Sequence, residues 1–415
     1  MQVYENYKDS GIEWIGKIPA HWEVKKLKRL AKICNGQDHK KVWDENGSYP
    51  IIGSGGIFGR AKDYLFKGPS VLLGRKGTID KPQYISSPFW SVDTAYYTEI
   101  FKEISPRLFY YLCKTINFDL YKYGSTVPSM TQETLNQIPF AISNNIEEQT
   151  TIANYLDQKT AELDTLIADK QELLKLYEEE KTAIINQAVT KGINPNVTLK
   201  DSGIAWLGEI PEHWEVYKLK YILSEKLMYG ANEPAKEENI EHPRYIRITD
   251  FGKDGELKSD TYKSLPPKIA EDYLLENGDI LFARSGATVG KTFQFKNYKK
   301  PACFAGYLIK ASLDSTKAIS DFIYFFTKSN SYENWKNSIF NQATIQNIGA
   351  DKYAMLELAL PQKINEQQEI VDYIEEQLAI INAKQKKTTT LIKLLTEYRT
   401  ALISEVVTGK IKVPQ

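Results

Sequence analysis

One stretch of twenty residues occurs twice in this chain. DSGIEWIGKIPAHWEVKKLK starts at Asp9 and DSGIAWLGEIPEHWEVYKLK at Asp201, with fifteen of the twenty positions identical. Such a repeat constrains the fold more than composition does, because each copy has to meet the same packing demands. A second pair of blocks follows. IEEQTTIANYLDQK from Ile146 matches INEQQEIVDYIEEQ from Ile364, and QAVTKGI from Gln187 matches EVVTGKI from Glu405. The chain therefore reads A–B–A′–B′. The offset is 192 for the A blocks and 218 for the B blocks, so the second insert is 26 residues longer. Residues 29–140 and 221–360 lie between the shared blocks and are only weakly alike. A constant frame holds two divergent inserts.

The B blocks have the spacing of long helices. Ile152, Leu156, Leu163, Leu166, Leu173, Tyr177 and Ile184 recur at three- and four-residue steps or their multiples. In B′ the series is Ile370, Ile374, Ile381, Thr388, Leu391, Leu395, Tyr398 and Leu402. This is a heptad-like apolar seam, broken at Lys159, Lys170 and Glu180. Gly192 and Gly409 read as C-terminal stops. Each helix is then about 45 residues, roughly 65 Å long. One such helix cannot bury its stripe alone, but two in one chain can pair.

The inserts read as strand-rich α/β. PSVLLGRKG and GDILFARSG are apolar runs closed by glycine, as strands entering turns should be. SPRLFYYLCKTI from Ser105 and ISDFIYFFTKSN from Ile319 have helical spacing, with Ser105 and Ser320 as N-caps.

Composition excludes several classes. At 415 residues and 42% hydrophobic, the chain is expected to form two or more soluble domains. No apolar run reaches a membrane span, and the N-terminus lacks a signal-peptide pattern. Cys34, Cys113 and Cys303 are far apart, which argues against a disulfide framework and for a reducing cytoplasm. Net charge is zero, but residues 1–145 hold 19 Lys/Arg against 14 Asp/Glu. Binding of a polyanion would have to come from local patches.

Catalytic patterns fail on inspection. SGATVGKT at Ser285–Thr292 resembles a phosphate-binding loop, but Ser285 holds the first glycine position and TFQFKNY continues as a strand. GSGGIFG at Gly53–Gly59 misses the dinucleotide spacing. Asp9 with Glu23-Val24-Lys25 formally fits a nuclease pattern, yet the second copy has Tyr217 in place of the lysine. His21 and His213 have no partners at metal-ligand spacing, so no metal site is expected. A duplicated frame with two inserts suits an extended ligand read at two places, and duplex DNA is the candidate. Arg75/Lys76 and Arg284/Ser285 end corresponding strands, with Arg60, Lys62, Lys81, Arg247 and Lys291 nearby in sequence. Such side chains neutralise phosphates or bond a guanine edge. Ser125-Thr126 and Gln342/Thr344, polar turns before each long helix, join this set.

The A block, Trp14-Ile15-Gly16-Lys17-Ile18-Pro19-Ala20-His21-Trp22-Glu23-Val24 and again Trp206 to Val216, together with helix openings at Glu148-Gln149 and Glu366-Gln367, resembles the specificity subunit of type I restriction–modification enzymes. The approach to the first helix, IPFAISNNIEEQ, departs from the proline-rich stretch common there; LALPQKINEQ is closer. The resemblance implies residues 1–145 and 193–363 as two α/β (α+β) target recognition domains. Residues 146–192 and 364–410 become conserved spacer helices, packed antiparallel as a coiled coil with an internal pseudo-two-fold repeat. It further implies a non-catalytic, cytoplasmic chain that reads a bipartite site on double-stranded DNA. Two methyltransferase subunits would carry S-adenosylmethionine, and two motor–nuclease subunits would use ATP and Mg²⁺. A fused nuclease or methyltransferase, and a coiled-coil scaffold without DNA binding, are the alternatives. The A blocks themselves are expected to pack where each insert enters the frame, A near the end of B′ and A′ near the end of B, with Trp14 and Trp206 among the packing residues.

Overall fold

A computed structural model describes residues 2–124, 127–252, 255–286, 288–340 and 347–414. The chain divides into two units, Met1–Gln171 with Thr389–Gln415, and Glu172–Thr388. Two long helices, Ile146–Lys191 and Ile364–Val407, contribute to both units, because each division point falls inside a helix.

In the first unit, Trp22–Lys26 pairs antiparallel with Pro139–Ser143. This ribbon brings the repeated stretch beside the start of the first long helix. Between its two strands lies a four-stranded antiparallel sheet in the order Ala31–Asn35, Ala95–Ile100, Ser70–Gly74 and Gln83–Ile85. Ser70–Gly74 is buried along its whole length, which is why it reads as an unbroken apolar run. A three-stranded sheet of Gly56–Ala61, Tyr49–Gly53 and Trp90–Ser91 flanks it. Helix Pro106–Lys114 is capped as expected, with Ser105 Oγ accepting from Leu108 N.

The second unit repeats the plan. Trp214–Lys218 pairs with Glu357–Pro361, and a four-stranded sheet has the order Met228–Tyr229, Leu308–Ala311, Ile280–Ala283 and Thr292–Gln294. The phosphate-loop lookalike is thus a turn between antiparallel strands, with Gly290 N bonding Ala283 O. Helix Ser320–Phe326 corrects one expectation. Its N-cap is Ile319, and Ser320 Oγ donates instead to Gly278 O.

Each unit has its own core, and both long helices enter each. In the first, Ile152 and Leu156 near the start of one helix share a core with Leu402 and Val406 near the end of the other. Arg399 Nη2 donates to Asp164 Oδ2 at 2.9 Å in the same unit. In the second, Ile185 and Val189 pack with Ile370 and Ile374, and Lys181 Nζ donates to Gln385 Oε1. The helix ends are left-handed glycines, Gly192 at φ 74° and Gly409 at φ 73°.

The seam needs correction in register. Leu166, Leu391 and Tyr398 are 38%, 39% and 45% exposed. Their neighbours Ile167, Ile392 and Arg399 are half-buried instead, and Thr160 and Thr388 are buried. Leu163, Leu173, Tyr177, Ile184 and Leu395 are half-buried, and Ile381 is buried. The covered stripe passes through threonine, lysine and arginine positions. The series read from the sequence therefore slips by one residue at Leu166, Leu391 and Tyr398, close to those polar positions.

Candidate nucleic-acid interface

The repeated stretch is a joint. Trp22 and Trp214 are the largest fully buried side chains of their units. Trp22 Nε1 donates to Glu148 Oε1 at 3.1 Å, and Trp214 Nε1 to Glu366 Oε1 at 2.8 Å. His21 Nε2 lies 3.0 Å from Glu148 Oε2, and His213 Nε2 lies 2.9 Å from Glu366 Oε1. In the first unit Tyr4 adds a third donor at 2.9 Å. Burial alone would raise the Glu148 carboxyl, but hydrogen bonds from Ser143, Trp22, Tyr4 and His21 outweigh it and hold the pKa below the ordinary value.

The neighbouring glutamine does different work. Gln149 Oε1 accepts from Ser105 N at 2.8 Å, while its Nε2 donates to Ser143 O at 2.8 Å and to Glu103 O at 3.1 Å. Gln367 does the same, accepting from Ile319 N at 2.8 Å and donating to Lys317 O and Pro361 O, both at 3.0 Å. The Glu-Gln pair thus ties the helix start to the A block through Glu and to the insert's backbone through Gln.

Within the first unit, the end of the second long helix closes on the same place. Tyr7 Oη donates to Gly409 O at 3.1 Å, and a Cβ on Gly409 would stand 2.3 Å from Pro19. The A block therefore lies near the end of B′, as expected from the repeat. In the second unit Gly192, at the end of B, faces Trp214 and Pro211 of A′. The packing tryptophans differ from the expected pair. Trp14 is 41% exposed and Trp206 half-buried, whereas Trp22 and Trp214 fill the joint.

The strand-ending arginines sit in matching backbone cradles. Arg75 N donates to Thr94 O and Arg75 O accepts from Met130 N, both at 2.9 Å. Arg284 N donates to Tyr307 O at 3.0 Å and Arg284 O accepts from Ile348 N at 2.9 Å. Their surroundings differ. Arg75 and Lys76 line a cleft of about 420 Å³ with Asn35, Tyr123, Gln132 and Glu133. The Arg284 guanidinium lies 4.9 Å from the centre of the Tyr229 ring, a cation–π contact. Ser285 forms an isolated bridge with Asn347.

The other candidates are more dispersed. Arg60 is on strand Gly56–Ala61, its Nη1 3.4 Å from Ser48 O, and Lys62, Lys81 and Lys291 are exposed. None of these four lines the cleft. Arg247 is bound on two sides by Asp250, a fully buried carboxylate, with Nη2–Oδ1 at 2.7 Å and Nε–Oδ2 at 3.1 Å. Its donors are largely committed within the fold. Ser125, Thr126, Gln342 and Thr344 lie outside the described residues. Asn35, Tyr123, Gln132 and Glu133 were not singled out by sequence, because nothing local marks them. They meet only through the strand order. Among the described residues no helix is long and apolar enough to cross a membrane.

The chain matches the family model for the type I restriction modification DNA specificity domain over residues 19–176 and 211–393. It belongs to that family. The two matched segments make it a type I restriction–modification specificity subunit with two recognition domains. It is similar to the MjaVIII specificity subunit of Methanocaldococcus jannaschii, 22% identical over 100% of this chain and 98% of the relative. The StySPI specificity subunit of Salmonella potsdam is 22% identical and that of EcoDI from Escherichia coli 19%, each over 95% of this chain and 90% of the relative. Among solved structures, a chain from work on complex assembly and conformational transition of the type I R-M system gives a TM-score of 0.74 at 13% identity, covering 95% of this subunit and 99% of that chain. The HsdS subunit from Thermoanaerobacter tengcongensis gives 0.55 at 13% identity, covering 95% and 98%. At such identities the likeness concerns the fold.

Proposed function

We propose that each recognition domain of this specificity subunit reads one half of a bipartite site on double-stranded DNA. The observation that carries this is the pair of cradles. Arg75 and Arg284 are held by the same backbone bonds in the two units, at the end of the same strand, among different side chains. A frame that repeats a cationic reading position while varying its neighbours suits two half-sites of different sequence.

The long helices act as an antiparallel coiled coil that sets the spacer between half-sites and docks two methyltransferase subunits. Supporting this, they expose apolar residues not used by either core, including Leu166, Leu176, Ile380, Leu391, Leu394 and Tyr398. The subunit itself is a non-catalytic cytoplasmic binder. S-adenosylmethionine belongs to the methyltransferase subunits, and ATP and Mg²⁺ to two motor–nuclease subunits of the complete enzyme. DNA contacts, to phosphates or to base edges, come from Arg75, Lys76, Arg284 and Ser285 first, with Arg60, Lys81 and Lys291 as peripheral charges.

Methylation-aware sequencing of DNA from cells carrying this chain with its cognate methyltransferase subunits tests the proposal. A bipartite motif with methyladenine in both halves is expected, and a short continuous motif would overturn it. Turnover by the purified chain alone, given Mg²⁺ or S-adenosylmethionine, would overturn its non-catalytic role.

A further inference from the structure

The cleft of the first unit is lined by a hydrogen-bonded pair of side-chain amides. Asn35 ends the strand Ala31–Asn35, and Gln132 opens the short helix Gln132–Gln137. They are 97 residues apart in sequence, yet Gln132 Nε2 donates to Asn35 Oδ1 at 3.1 Å. That bond joins the two amides across the cleft wall. It leaves the Asn35 Nδ2 donor and the Gln132 Oε1 acceptor without another hydrogen-bond partner among the described residues. Both residues line the cleft with Arg75 and Lys76, and neither cation has a carboxylate ion pair among the described residues.

We infer that the Asn35–Gln132 pair selects adenine at one position of the half-site read by the first unit. The inference rests on the DNA-reading function proposed above and deepens it. In the major groove adenine presents an acceptor, N7, next to a donor, the N6 amino group. The joined amides offer one donor, on Asn35, and one acceptor, on Gln132, which match that edge in kind. Guanine presents two acceptors, so its O6 would face Gln132 Oε1 with no proton between them. Cytosine and thymine each offer one of the two groups and leave the other amide unpaired. Arg75 and Lys76 supply the phosphate or guanine contacts that hold the duplex against the pair.

The second unit provides an internal contrast. Asn35 pairs across the sheet with Tyr96, two residues after the carbonyl that holds Arg75; Tyr229 pairs with Ile309, two residues after the one that holds Arg284. Tyr229 therefore stands where Asn35 does. At the 218 offset, Ala350 stands where Gln132 does. Tyr229 Oη accepts from Ala350 N at 2.9 Å, and its ring covers Arg284. Among the described residues the second unit has no amide pair at this place, so adenine selection through it is confined to one half of the site.

The experiment uses the full chain in complex with its methyltransferase subunits, as wild type and as the Asn35→Ala/Gln132→Ala double variant. Binding is measured on duplexes in which each adenine of the target is replaced in turn by 7-deazaadenine, which lacks the N7 acceptor. The wild type should lose affinity roughly 10- to 100-fold at one adenine of one half-site. The double variant should be indifferent to that replacement and accept other base pairs there, while discrimination in the other half persists and shows that the complex is folded. A variant that keeps wild-type discrimination at every position would overturn the inference. So would relaxation confined to the other half. If the wild-type complex binds no bipartite site at all, the proposed function fails, and this inference with it.

Discussion

Gln149→Ala should be among the most damaging single substitutions in the first unit, although it removes one polar side chain far from any reading residue. Gln149 is 1% exposed and makes three hydrogen bonds to backbone groups. Alanine leaves Ser105 N and Ser143 O buried without a partner, at about 1–3 kcal/mol each, and loses a half-buried bond to Glu103 O worth about 0.5–1.5 kcal/mol. The expected loss is about 2.5–7.5 kcal/mol, a large share of the ~5–15 kcal/mol typical of a domain. Gln149→Glu is the sharper control. The carboxylate can still accept from Ser105 N but presents oxygen to two carbonyls, so it should be about as harmful as alanine. The assay is urea unfolding followed by peptide-resolved amide exchange, with peptides around Ser105 reporting the lost protection. Gln367→Ala should produce the corresponding effect around Ile319. A destabilisation under about 1 kcal/mol for Gln149→Ala would refute the argument that this side chain fastens the helix to the insert.

Other expectations follow from the same geometry. The Glu148 carboxyl has a folded pKa below its unfolded value, so its contribution is present above about pH 4.5 and is lost as pH falls through the folded pKa. Glu148→Gln should flatten the acid limb of urea midpoints measured between pH 6 and pH 3. Gly409→Ala should cost about 2–4 kcal/mol, since the new Cβ meets Pro19 at 2.3 Å as well as a φ of 73°. Gly192→Ala, whose nearest neighbour is Trp214 at 3.5 Å, should cost only about 1–2 kcal/mol in a matched unfolding series. Arg284→Ala should weaken DNA binding by the assembled complex several-fold in a mobility shift, with the affinity for the methyltransferase subunit unchanged. Replacing residues 29–140 with another insert should change one half of the methylated motif only.

The sequence made the architecture legible because the repeat is written in side chains that pack. Trp22, Ile18 and Gly409 in one unit and Trp214, Ile210 and Gly192 in the other have to stay alike for the joint to close. The seam register was less legible. Thr160 is buried and Lys170 and Arg399 are half-buried, and burial of a polar residue leaves no apolar mark to follow. The role of Gln149 was invisible for another reason. Its partners are the backbone groups of Glu103, Ser105 and Ser143, which any residue could supply. The cleft was hidden by distance. Asn35, Arg75 and Gln132 meet only after strand Ala95–Ile100 pairs with two others, and no local pattern announces that strand order. Arg75 was nevertheless within reach, because the apolar run Val71-Leu72-Leu73 stops at Gly74 and the Arg-Lys pair follows at the strand's end.

The glutamine joint has a consequence for how such a molecule changes over generations. Gln149 and Gln367 each grip one carbonyl oxygen and one amide hydrogen of the insert, Glu103 O with Ser105 N and Lys317 O with Ile319 N, atoms that the backbone of an insert of the right path supplies. The fastening makes no demand on the insert's side chains. A gene exchange that delivers an unrelated reading surface into either slot meets a socket already able to hold it. New specificity can then arise by recombination in one step, without passing through intermediates that fail to assemble.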